Sequence, residues 1–310
     1  MLCPRRCGAD RAAGRRGVCG AGAQVRVARA ALHFWEEPPI SGESGSGTVF
    51  FSHCPLHCVY CQNACIANGQ AGADISVRRL ARIFLELQGK GALNVNLVTG
   101  THYVPQIIEA LDLARAAGLA LPVVYNTSGY ETPETIRLLS GRVDCFLSDF
   151  RYFDAATARA YSHAPDYPEV AKEALVAMTA TGARVIVRVL LLPGHEAEAE
   201  RIVSFVHDAY GHLEQGSGLP APGIYADDGA FPGLPAGCVR LSLMSQYTPV
   251  GDFPDHPELS RRVDPAAFER LLDFADAIGC DEYFWQDGDA AEESFIPDFF
   301  GLEGVKGPEL

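Results

Sequence analysis

The run Cys54-Pro-Leu-His-Cys58-Val-Tyr-Cys61-Gln62 follows the apolar stretch Thr48-Val-Phe-Phe-Ser52 and decides how the rest of the chain is read. Its cysteines are spaced C-x3-C-x2-C. Three thiolates on one tight loop can carry three irons of a cubane [4Fe–4S] cluster and leave the fourth iron without a protein ligand. An open iron can bind and reduce a substrate or cofactor instead of only passing electrons. The alternative is a zinc site or reduced structural thiols. Zinc prefers four ligands, commonly from two C-x-x-C-like pairs, whereas three cysteines stand at this spacing.

Outward from the loop, apolar runs of strand length alternate with helical periodicity. Strands are expected at 48–52, 94–98, 122–125, 144–147, 184–192 and 239–244. Helices are expected at 76–89 (Ser76 as N-cap), 105–117, 133–139, 154–161, 168–181, 196–210 and 265–278. Such alternation predicts parallel β/α units. Six units from residue 48 onward suit an α/β fold of the partial (β/α)6, TIM-type barrel class better than a closed eight-unit barrel, with a doubly wound open sheet as the alternative. In a barrel, functional side chains sit at the C-terminal ends of strands, and the cysteine loop obeys that rule. Residues 1–47 read as a short Cys-, Gly- and Arg-rich N-terminal extension, and 48–310 as the barrel. A Gly/Pro-rich insertion at about 215–237 breaks the rhythm and reads as a surface loop.

Composition bounds the function. A chain of 310 residues with 48% hydrophobic residues is long enough for one large barrel or two ordinary domains. No run approaches the apolar length of a membrane span, and the first residues lack the apolar core of a secretory signal. Ten cysteines without an export signal favour metal ligation in a cytoplasmic setting over disulfides. A net charge of -14 argues against a broad nucleic-acid surface.

The cysteine spacing, with Tyr60 just before the third cysteine, resembles the signature of the radical S-adenosylmethionine (SAM) superfamily. Within it, several phrases resemble the PflX-like branch, proteins similar to pyruvate formate-lyase activating enzyme. They include Gly47 to Ser52, Leu97-Val-Thr-Gly-Thr-His102, Val124-Tyr-Asn-Thr-Ser-Gly-Tyr130, Ser148-Asp-Phe-Arg-Tyr152, Arg188 to Pro193 and Leu243-Met-Ser-Gln-Tyr247. The resemblance implies SAM chelated by the open iron and cleaved by one electron to methionine and a 5′-deoxyadenosyl radical. It also implies a one-electron donor such as flavodoxin or ferredoxin.

Site residues follow from the same resemblance. Cys54, Cys58 and Cys61 are the expected cluster ligands, and the Tyr60 backbone is expected against adenine. Thr99, Gly100 and Thr101 fall where the superfamily usually reads Gly-Gly-Glu and binds the methionyl amine, with His102 in place of the acid. Gly100 permits close backbone approach, and the threonine hydroxyls can accept protons. Asn126, Thr127 and Ser128 fall near the ribose and methionyl group. Asp149 and Arg151 fall where the activases carry Asp-x-Lys. Arg188, inside an apolar strand, needs an anion; the SAM carboxylate and Asp149 are the two candidates. Gln246 replaces an activase His, and Gln286 is a further pocket candidate.

A second cluster, Cys3-x3-Cys7-x11-Cys19, opens the chain in a setting too rich in Gly and Arg to build a core. It is a candidate second Fe–S or zinc site, since a metal would supply the missing stability, with Cys65 as a substitute fourth ligand. Free thiols are the alternative. Cys145, Cys238 and Cys280 read as buried apolar thiols. Three functions remain in view: an activase making a glycyl radical on a partner protein, a radical SAM enzyme acting on a small molecule or peptide, and a non-catalytic iron–sulfur or zinc protein.

Overall fold

The computed structural model describes residues 2–213, 231–280, 282–286, 288 and 297–310. Most of the Gly/Pro-rich insertion therefore lies outside the described residues. The elements in chain order are β1 (Val25–His33), α1 (Pro38–Ser41), β2 (Ser46–Phe51), α2 (Ala64–Ala67), β3 (Ala73–Ile75), α3 (Val77–Gly89), β4 (Val95–Val98), α4 (Val104–Ala116) and β5 (Val123–Thr127). They continue with α5 (Pro133–Leu139), β6 (Cys145–Asp149), α6 (Ala155–Ser162), α7 (Tyr167–Thr179), β7 (Arg184–Leu190), α8 (Glu196–Tyr210), β8 (Val239–Met244), α9 (Pro265–Ala277) and β9 (Tyr283–Gln286). The strands form one sheet in the order β3-β1-β2-β4-β5-β6-β7-β8-β9.

From β2 through β9 the neighbours are all parallel, as β/α alternation requires. Helices α5 and α8 and strand β8 fall where the periodicity places them, and the Ser76 side chain caps α3 by accepting from Arg79 N. The strand-like run Tyr283-Phe-Trp-Gln286 forms β9, a seventh parallel strand beside the six. One feature differs from expectation: the extension contributes β1, antiparallel to both β2 and β3. The β1 sequence is alanine- and arginine-rich, with few of the β-branched residues that mark a strand. Its pairing with β2 and β3, a tertiary effect, decides its conformation.

Alternation along the strands divides the sheet into two faces. Val123, Tyr125, Phe146, Val185 and Val187 pack under the helices, whereas Val124, Cys145, Leu147 and Ile186 point the other way and meet Ile40 of α1. Phe231 and Leu234, at the end of the Gly/Pro-rich stretch, join that second cluster, as does Cys238. The C-terminal segment is clamped by the buried Arg79, which donates to the carbonyls of Gly304, Val305, Lys306 and Pro308 and pairs with Glu86. Among the described residues no helix is long and apolar enough to cross a membrane.

Candidate active site

Two left-handed residues, His53 (φ 75°) and His57 (φ 51°), bend the chain after β2 and fold the cysteine run into a loop. Backbone bonds fix it: His53 N donates to Ile66 O at 2.7 Å and Val59 N to Tyr161 O at 2.8 Å. Burial pushes the Cys54 thiol up to about 11. Burial, then the charges of Cys58 and Cys54, push Cys61 up to about 12. Metal binding at such thiols displaces their protons, which couples cluster assembly to proton release.

Cys61 and Tyr60 border a cavity of about 770 Å³ at the strand ends. Thr99, Asn126, Ser128, Asp149, Arg151, Arg188 and Gln246 line it as well, so most of the expected pocket residues share one space with a cluster thiol. Thr127 and Gln286 also reach it, and the Gln246 amide donates to Gln286 Oε1 at 2.6 Å.

Gly100 and Thr101 do not line this cavity, which corrects the sequence expectation. Thr99 takes a left-handed turn (φ 60°) at the end of β4 and sends the next residues beneath the sheet. A Cβ on Gly100 would lie 2.6 Å from Ile107 Cδ1, so glycine there permits helix packing instead of ligand approach. The Thr101 hydroxyl donates at 2.6 Å to the fully buried Glu131, which also accepts from Thr127 and Tyr125. His102 bonds the Ser52 carbonyl at 2.9 Å, and burial lowers it to about 3, so it stays neutral and structural.

Arg188 pairs with two carboxylates other than the expected Asp149. Its guanidinium donates to both oxygens of the fully buried Glu37, at 2.7 and 2.6 Å, and also to Glu36. Burial opposes ionisation of Glu37, but the Arg188 charge and its bonds outweigh it and hold the carboxyl below the usual range. The other oxygen of Glu36 accepts from Asn96 at 2.9 Å and Asn126 at 3.3 Å. Asp149 instead pairs with Arg151, at 3.0 Å to Nε and 2.5 Å to Nη2. Arg151 Nη1 then reaches Cys58 Sγ at 3.2 Å.

Sequence reasoning missed the segment after β1. His33, Phe34, Trp35 and Glu36 all line the cavity. An acidic pair before Pro38-Pro39 in an otherwise basic extension was the available signal, because a buried Arg188 demands carboxylates somewhere.

The N-terminal thiols come together. A Cβ on Gly17 would lie 3.3 Å from Cys19 Sγ and 3.4 Å from Cys7 Sγ, and Cys3 is raised by burial and then by the charges of Cys19 and Cys7. Cys65 packs elsewhere, against Phe50, Ile66 and Phe299. Among the described residues no three His, Cys, Asp or Glu groups are gathered closely enough to hold one metal ion.

Residues 48–206 match the family model of the Radical SAM superfamily. The chain belongs to the radical SAM superfamily. An uncharacterized protein of Methanocaldococcus jannaschii is 25% identical over 258 residues, covering 81% of this chain and 67% of the relative. Streptococcus suis SuiB bound to S-adenosylmethionine shares the fold at a TM-score of 0.50 and 15% identity, over 80% of this chain and 52% of that one. Native anSMEcpe with bound AdoMet gives a TM-score of 0.47 at 11% identity, over 76% of this chain and 61% of that one. The chain thus spans between half and two thirds of the length of these two structures. Membership in the radical SAM superfamily implies SAM and a [4Fe–4S] cluster. Three thiols on one loop, one of them facing a polar cavity, fit that pair of groups.

Two charges in this site generate measurable expectations. Burial raises Glu131 to about 7, against the donors Thr101, Thr127 and Tyr125. Its folded pKa exceeds the unfolded value, so its stabilising effect is complete below the ordinary carboxylate range and is lost as pH rises toward 7. Urea unfolding at pH 4.5 and pH 8 should therefore show a loss, on the order of 3 kcal/mol, that Glu131→Gln removes. Arg188→Ala leaves the Glu37 carboxylate buried without its cation, so unfolding free energy should fall by about 3–5 kcal/mol. Unchanged stability in that variant would show that water or another group compensates Glu37.

Proposed function

We propose that this chain cleaves SAM reductively and directs the resulting radical to abstract a hydrogen atom from a substrate, with activation of a glycyl-radical protein as the leading reading. The observation that carries it is the shared cavity: Cys61 stands in one space with Asn126, Asp149, Arg151 and Gln246. A cluster held by Cys54, Cys58 and Cys61 supplies the electron and the open iron, and SAM bound there supplies the 5′-deoxyadenosyl radical.

The chain's own residues do the rest. Asn126 and Gln246 present amides and Arg151 a guanidinium to a ligand with carboxylate, ammonium and ribose groups. Tyr60, buried and ringed edge-to-face by Tyr152, Tyr161 and Tyr247, gives an apolar wall that excludes water from a reactive radical. A volume of about 770 Å³ is ample for a cofactor-sized ligand. Phe34, Trp35 and Trp285, each about half exposed, border the same cavity, and this apolar rim favours a peptide segment as the substrate. The activase reading rests on that rim and on the sequence resemblance. A small molecule is the second reading, favoured by the polar floor of Glu36 and Arg188. A one-electron donor such as flavodoxin or ferredoxin is required in either case. We also propose that Cys3, Cys7 and Cys19 hold a second metal, an iron–sulfur cluster or a zinc ion.

Anaerobic reconstitution with iron, sulfide, SAM and dithionite should yield 5′-deoxyadenosine. Cys58→Ala should abolish it, and full activity in that variant would sink the ligand assignment. Replacing Cys3, Cys7 and Cys19 together should lower iron and sulfide content while leaving the radical cluster and SAM cleavage in place. Metal and sulfide content equal to the parent's would rule out the second site.

A further inference from the structure

The three loop cysteines have unequal surroundings. Backbone N–H groups of Leu56 and His57 bond Cys54, and that of Asn63 bonds Cys61. Cys58 receives two side-chain donors instead: Arg151 Nη1 at 3.2 Å and the Ser162 hydroxyl at 2.9 Å. Ser162 ends α6, far from the cysteine motif in sequence, and is fully buried. The Tyr152 hydroxyl lies 2.6 Å from Ser162 Oγ and 2.8 Å from the Tyr60 hydroxyl. Tyr152 is also fully buried, so water does not substitute for these partners.

Each hydroxyl carries one proton, which limits how the chain can be ordered. A metal-bound Cys58 is a thiolate and only accepts, so Ser162 must give it its proton. Ser162 then accepts from Tyr152, so the donor order runs from Tyr152 through Ser162 to Cys58 Sγ. Donors in a dry setting strengthen one another along such a chain. Asp149 holds Arg151 in place as the second donor.

We propose that Ser162, aligned by Tyr152, together with Arg151, raises the reduction potential of the radical cluster through Cys58. The inference rests on the reading of Cys54, Cys58 and Cys61 as cluster ligands. Donors aimed at a ligating sulfur stabilise the extra negative charge that one-electron reduction adds, and so favour the reduced state. In the test below dithionite supplies that electron, and no bond is made or broken. Ser162 and Tyr152 act as positioning and tuning residues, since neither borders the cavity.

The experiment is an anaerobic redox titration of the reconstituted full chain, followed by the electron paramagnetic resonance signal of the reduced cluster. Ser162→Ala should disfavour reduction about tenfold, a midpoint about 59 mV more negative. Tyr152→Phe should shift it the same way by less, and Ser162→Thr, which keeps the hydroxyl, should restore the parent value. An unchanged midpoint in Ser162→Ala, at parental iron and sulfide content, overturns the proposal. So does an equal shift in Ser162→Thr, which would assign the effect to packing and not to the hydroxyl. A parent chain that assembles no cluster overturns this inference together with the reading beneath it.

Discussion

The ion pair between Arg188 and Glu37 is the interaction on which the interior of this molecule depends. A guanidinium on a central strand of a parallel sheet is largely withdrawn from water, and the desolvation cost of such a charge is several kcal/mol. Glu37 answers it with both oxygens while fully buried itself. The consequence is topological. Glu37 immediately precedes α1, so the pair pins the connection between β1 and β2 beneath the strands, and Ile40 follows it into the apolar floor. With that connection fixed, Glu36 is aimed at Asn96 and Asn126, and the amides that face the cavity acquire a set orientation.

The two arginines of the site solve different problems. Arg188 holds two carboxylates through Nε and Nη2 while it lines the cavity. Arg151 faces one, Asp149, and retains Nη1 for Cys58. A lysine in that place would offer a point charge without the planar fork needed to hold the carboxylate with two nitrogens and the sulfur with a third. The difference gives a physical reason for arginine at 151.

Much of the fold was legible because its signals are local. The Ser76 cap, the β-branched run of β7 and the amphipathic pattern of α8 each announce their element within a few residues. The cysteine loop was legible for the same reason. What escaped was tertiary. Strand β1 is weakly patterned and is decided by its neighbours on both sides. Gly100 and Thr101 sit at the right place in sequence, but the left-handed turn at Thr99 carries them under the sheet, and a single φ angle leaves no mark in composition. Glu36 and Ser162 act on residues 152 and 104 positions away, at Arg188 and Cys58 respectively, and no window of sequence joins such pairs.

The N-terminal extension, for its part, is fastened to the cysteine loop by side chains rather than by a core. Arg5 donates to the Pro55 carbonyl at 2.8 Å and the Ser162 carbonyl at 2.7 Å, and its guanidinium lies over the Tyr130 ring. Arg11 reaches the His102 carbonyl and, at 3.7 Å, Cys19 Sγ. These contacts use Pro55 and Leu56, whereas the cavity uses Tyr60 and Cys61, so the two ends of one short loop serve two neighbours. The proposed second cluster lies on the loop's other flank, tied to the carbonyl of the same Ser162 whose hydroxyl meets Cys58.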